Sequence, residues 1–111
     1  MWSGRNDAPR RNRRSISAGA ALATGLACKF YGTFKDISMQ VVVTGSPTVG
    51  VCLLEGTVNG SDYSEIGRFT HGTDTSGKPV VSGNVPCVAA RCRIETAFDN
   101  SATINADIAW A

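Results

Sequence analysis

Residues 39–67, MQVVVTGSPTVGVCLLEGTVNGSDYSEIG, constrain the fold more than any other part of the chain. Three β-rich runs are cut by two clusters of breakers. Val41, Val42 and Val43 lead into Thr44-Gly45-Ser46-Pro47, and Val49, Val51, Cys52, Leu53 and Leu54 lead into Asn59-Gly60-Ser61-Asp62. β-Branched side chains pack well on a pleated sheet, while Gly, Pro, Asn and Asp supply turn dihedrals. The pattern predicts strand, tight turn, strand, second turn, strand. Asn59-Gly60 is the dipeptide preferred by type I′ hairpins, and that reading outranks the glycosylation sequon that Asn59-Gly60-Ser61 also spells.

Two later runs alternate with period two. Residues 88–96 put Val88, Ala90, Cys92 and Ile94 on one face and Ala89, Arg91, Arg93 and Glu95 on the other. After a turn at Asp99-Asn100-Ser101, Ala102, Ile104, Ala106, Ile108 and Trp110 alternate with Thr103, Asn105, Asp107 and Ala109. Each run has one dry and one wet face, which predicts a terminal antiparallel hairpin. Lys78-Pro79-Val80-Val81 carries a proline, so it reads as an edge strand or no strand. The expected core is Val41, Val43, Val51, Leu53, Val88, Ile94, Ile104 and Ile108. No window has a helical period. With 111 residues the chain can build one core plus, at most, a tail. The predicted fold is all-β: a small antiparallel β-sandwich, jelly-roll or immunoglobulin-like, with an extended N-terminal arm. No window is apolar enough to span a bilayer as a helix.

Charge divides the chain at its start. Residues 1–17 read as a basic flexible arm and residues 18–111 as the β-sandwich domain. The arm carries Arg5, Arg10, Arg11, Arg13 and Arg14 against Asp7 alone, a net of +4, while the body is mildly acidic at −2. Trp2 and these five arginines are the candidate partner-binding residues, because Trp and Arg are the types that dominate interface hot spots. Docking onto an acidic protein surface is favoured over a tail without a partner. Nucleic-acid contact ranks lower, since the acidic body offers no evident stacking surface. Arg13-Arg14 ahead of residues 15–27 also mimics a twin-arginine export signal, but the run is dilute, with only Ile16, Leu22 and Leu26 as large apolar residues.

Candidate chemistry is sparse. Cys28, Cys52, Cys87 and Cys92 have no metal-ligand spacing and His71 has no partner histidine, so neither a metal site nor a cofactor is expected. The cysteines read as buried free thiols, with Cys87 and Cys92 on opposite faces of one strand. Glu55, Glu65 and Asp62 read as outward-facing surface charges and not as a catalytic pair. No nucleophile context and no phosphate-binding loop is present, so the chain reads as non-enzymatic.

The hairpin Val42-Val43-Thr44-Gly45-Ser46-Pro47, then Leu54-Glu55-Gly56-Thr57, Asn59-Gly60, Tyr63, Ile66 and Gly67, resembles one that recurs in small β-sandwich proteins of tailed-phage virions. Val88, Arg91, Ile94, Thr103, Ile104, Ala106 and Ile108 extend the resemblance over residues 34–111. It implies a structural virion protein, most specifically a capsid decoration (cement) protein of the phage head surface. Such a protein would bind the major capsid protein and neighbouring copies of itself, with a trimer as one option. It would be assembled in the host cytoplasm, without nucleic acid or membrane. A head fibre, neck or tail position is the alternative within that reading. Leu54-Glu55-Gly56-Thr57 with Tyr63 also resembles a hairpin of discoidin-like sandwiches, which implies a carbohydrate-binding module as the alternative function.

Overall fold

A computed structural model describes residues 11–111. Among these, seven strands and no helix occur: β1 (Asn12–Gly19), β2 (Ala23–Thr24), β3 (Cys28–Thr44), β4 (Val51–Thr57), β5 (Ser64–Thr70), β6 (Pro79–Thr96) and β7 (Thr103–Trp110). All pair antiparallel in one sheet of order β1-β7-β3-β6-β4-β5, with the short β2 attached to β6. The expectation of an all-β antiparallel protein holds. The arm boundary does not, because residues 12–17 belong to β1 and pair with β7.

β3 and β6, at 17 and 18 residues, far exceed the usual strand length of about five or six. Each serves both halves of the sheet. The first part of β6 pairs with β3 from Gln40↔Pro79 onward, and the second part pairs with β4 from Thr57↔Ala89 to Val51↔Thr96. Strands this long change pleat where they bend. On β3 the buried positions are Cys28 and Phe30, then Ile37, Met39 and Val41, an inversion of parity. Between them lie Tyr31 and Gly32, both at positive φ, and slips in the β3–β6 register. An irregular residue inserted into a ladder moves every later side chain to the other face. The pairing also slips between Lys29↔Ala89 and Phe34↔Cys87. Beyond that slip Cys87 turns inward: a Cβ on Gly56 would meet its Sγ at 2.6 Å. Cys87 and Cys92 therefore share one core, contrary to their simple spacing.

That core takes side chains from every long strand. Ile104, Ala106, Ile108 and Trp110 of β7 meet Met39 and Val41 of β3, Cys92 and Ile94 of β6, Cys52 and Leu54 of β4, and Phe69 of β5. Of the expected core residues, Val41, Ile94, Ile104 and Ile108 are in it, and Val43 packs against it. Val51 and Val88 are half-buried. Leu53 is buried but faces away, because on β4 it is Cys52 and Leu54 that point inward. The strand is covered on both sides. Leu53 registers between Arg68 of β5 and Arg93 of β6.

The turns differ from expectation for one reason. Strands adjacent in sequence are not always adjacent in space. β3 does not pair with β4, and β7 does not pair with β6 but lies between β1 and β3. The breaker clusters at 45–50 and 97–102 are thus connections between non-neighbouring strands. They run side by side. The Asp99 carboxylate accepts from the Thr48 amide at 2.6 Å, the Val49 amide at 3.2 Å and the Thr48 hydroxyl. Asn100 Nδ2 donates to the Ser46 carbonyl at 3.3 Å. The type I′ signature, positive φ at both central residues, sits at Asn100 and Ser101, closed by the Ala102 amide on the Asp99 carbonyl at 3.1 Å. Asn59-Gly60 does lie in the β4–β5 connection, but only Gly60 has positive φ. There the Asn59 Oδ1 accepts from the amides of Ser61 and Asp62 at 2.8 and 2.9 Å, making a six-residue connection where a two-residue turn was expected.

Candidate docking surface

Three of the six residues expected to bind a partner, Trp2, Arg5 and Arg10, lie outside the described residues. Arg11, Arg13 and Arg14 lie at the start of an edge strand. β1 pairs Asn12↔Ala109, Arg13↔Ile108 and Arg14↔Asp107, then slips before Ile16↔Ala106. The slip makes Ser15 an extra residue, so Ser15 and Ile16 are both buried. The Ser15 hydroxyl donates to the Leu26 carbonyl at 2.8 Å and accepts from the Cys92 amide at 2.9 Å. The Ser15 carbonyl accepts from the Leu26 amide at 2.8 Å. Gly25 makes this approach possible, since a Cβ there would collide with Ser15. One serine thus ties β1, the β2–β3 connection and β6 together.

The arginines leave this strand in different directions. Arg14 grips Asp107 with two bonds, Nε to Oδ1 at 3.0 Å and Nη2 to Oδ2 at 3.1 Å. The carboxylate raises the guanidinium pKa further above its already high value. The Arg11 guanidinium lies over the Phe34 ring, 4.9 Å from its centroid. Arg13 is exposed and makes no ion pair among the described residues. Arg13, Arg14 and Lys29 line an open groove of about 1020 Å³ between β1, β3 and β7, with Asp107 as its one carboxylate. The cationic character read in the sequence continues into a shaped surface.

A second charged group covers the outer face of β4, β5 and β6. Glu55, whose side chain is 7% exposed, accepts from Arg91 Nε at 3.0 Å and Arg93 Nε at 2.9 Å. Arg68 grips Glu65 at 2.8 and 2.9 Å and reaches Glu95 at 3.6 Å. The Arg91 guanidinium stacks on Tyr63 at 3.9 Å. Glu55 is therefore a buried ion-pair centre, not the outward surface charge expected from alternation. Glu55 and Glu65 stand opposite each other on β4 and β5, yet each has its own arginine. Hydrogen bonding to Arg68 holds the Glu65 carboxyl below the usual range. Asp62 accepts from Asn59 Nδ2 at 2.7 Å within the turn.

The four thiols are free and buried. Burial pushes Cys28 up to about 11. Cys92 is raised strongly, first by a hydrogen bond with Cys52 and then by burial. Such groups stay protonated and are poor nucleophiles. Among the described residues no group of His, Cys, Asp or Glu is placed to hold a metal ion. His71 is half-buried and bridges to Asp74 through the backbone. The sequence reading missed Ser15, the Glu55–Arg91–Arg93 group, and Lys29 with Tyr31. Arg91 and Arg93 two apart on a wet face were a visible signal for a shared carboxylate. Ser15 left none, because its role depends on a register slip.

No protein-family model matches the chain, and no curated protein matches its sequence. Among solved structures, the fold is similar to that described as the crystal structure of SPBc2 prophage-derived protein YomS. The likeness has a TM-score of 0.64 and covers 90% of this chain and 91% of the other, at 7% sequence identity. At that identity it is a likeness of fold.

Proposed function

We propose that this protein is a structural, non-catalytic virion component of a tailed bacteriophage, most specifically a decoration protein bound to the major capsid protein on the head surface. The observation that carries the reading is the near-complete two-way overlap of its fold with a prophage-derived protein. Its sheet, folded over one core, is read as a β-sandwich that presents side chains from fixed positions. The electropositive groove flanked by Arg13, Arg14 and Lys29 suits an acidic surface on a capsid subunit or on a neighbouring copy. Arginine forks favour carboxylates because two parallel bonds form at once. Head fibre, neck and tail are the other virion positions this scaffold would serve.

The test is to purify particles of the phage or prophage whose genome carries the gene, quantify the protein in them by mass spectrometry, and locate it by antibody labelling in electron micrographs. Labelling over the head surface supports decoration. Labelling at the tail removes the capsid role and keeps the virion role. Absence from intact particles refutes the reading altogether.

A further inference from the structure

Tyr31 stands out in the molecule. It is 93% exposed, and its φ of 54° lies in a region that bulky L-residues rarely adopt. Gly32 beside it, at φ 157°, completes the irregular segment of β3. Among the described residues the Tyr31 side chain has no hydrogen bond and no ring contact. A strained backbone thus holds a large aromatic ring away from the rest of its own chain. Strain of this kind is retained where the surrounding structure imposes it, often at ligand sites. The second ring of the same surface is Tyr63. Arg91 stacks on it at 3.9 Å, and Glu55 holds Arg91 in turn, so the ring has a fixed orientation. Tyr31 and Tyr63 line one open cleft of about 340 Å³ with Lys29, Thr33, Val88 and Ala89.

We propose that this cleft, which shares Lys29 and Tyr31 with the groove between β1, β3 and β7, binds a saccharide ring. A sugar has an apolar C–H face and a rim of hydroxyls. The cleft offers both counterparts, in two tyrosine rings with the apolar Val88 and Ala89, and in the Lys29 ammonium, the Thr33 hydroxyl and the phenols. Its volume is at the small end of the range for ligand sites, about 300–1,000 Å³. That suits one or two sugar rings and not a helix or a strand of another protein. Lys29 is the one charged residue lining it, and Lys29 and Tyr31 also border the groove that carries Arg13 and Arg14. With no carboxylate in its lining, the cleft accepts neutral or acidic sugars and disfavours amino sugars carrying a positive charge.

The experiment is saturation-transfer NMR of the full chain with glucose, galactose, mannose, N-acetylglucosamine and glucuronate as probes, followed by amide shift mapping. At least one sugar should receive saturation, with shifts confined to residues 29–33, 60–63 and 88–89. Tyr31→Ala and Tyr63→Ala should each weaken binding about tenfold, the scale of one lost aromatic contact. Tyr31→Phe, which keeps the ring, should retain it. Circular dichroism melts of each variant check that the fold is intact. No transfer to any of the five sugars, or binding unchanged in Tyr31→Ala, overturns the proposal. So does a Tyr31→Ala variant that loses self-association or particle attachment while the parent protein binds no sugar, because the ring is then a protein contact.

Discussion

Replacing Ser15 by alanine tests whether the N-terminal strand is an integral part of the fold. The substitution removes a hydroxyl that donates to the Leu26 carbonyl at 2.8 Å and accepts from the Cys92 amide at 2.9 Å. Cys92 is wholly buried, so its orphaned N–H has no access to water, which costs about 1–3 kcal/mol. Leu26 is 63% exposed, so water can replace the bond to its carbonyl at a cost of less than about 1 kcal/mol. The expected loss is about 2–3 kcal/mol, a fall in melting temperature of about 10 °C for a domain this size. Urea unfolding would report it through Trp110, which is buried and stacks on Phe30 with ring centroids 4.5 Å apart. A Trp2→Phe background removes the second tryptophan signal. The midpoint should fall with the m-value unchanged. Ser17→Ala, at an exposed position of the same strand, is the control and should be nearly neutral. A Ser15→Ala loss below about 0.5 kcal/mol, within the range of ordinary surface changes, would refute the claim that Ser15 fastens β1 to the core.

Ile104→Ala, at a core position 1% exposed, should cost about 2–5 kcal/mol by denaturant melts; a neutral result would mean that β7 presents its other face inward. Hydrogen bonds from the Thr48 hydroxyl and amide lower the Asp99 carboxyl, so its contribution is complete above the unfolded carboxyl value near about 4 and is lost as pH falls through the lower folded value. Stability measured against pH should therefore drop in acid, and Asp99→Asn should lower stability at neutral pH and flatten that drop. Ellman's reagent should label none of the four cysteines quickly in the native protein and all four after unfolding, since all four are buried, burial raises Cys28 and Cys87, and a hydrogen bond with Cys52, then burial, raises Cys92. Deleting residues 1–10 spares β1, whereas deleting 1–14 also removes Asn12–Arg14 and the Arg14–Asp107 pair. The shorter deletion should leave the melting temperature unchanged and weaken attachment to particles, with residual binding falling as salt rises, while the longer deletion should destabilise the fold itself.

Much of this protein was legible residue by residue. The alternation of residues 102–110 became the strict in–out burial of β7, and residues 90–94 placed Ala90, Cys92 and Ile94 in the core. The breaker clusters ended strands where expected. Period two and turn chemistry are local properties, set by residues next to one another, so sequence determines them alone. The pairing of strands is different. Gly45-Ser46-Pro47 and Asn100-Ser101 break a strand equally well whether the next one pairs with it or crosses to another part of the sheet. Tertiary closure decided that β7 lies between β1 and β3. It also set the register slips that bury Ser15, turn Cys87 inward and push Tyr31 outward. A slip exchanges the two faces of a strand without changing any local preference, and its energy depends on partners far along the chain. The burial of Glu55 follows from the same cause, because alternation places it on the outer face while Arg91 and Arg93, brought alongside by β6, close over it.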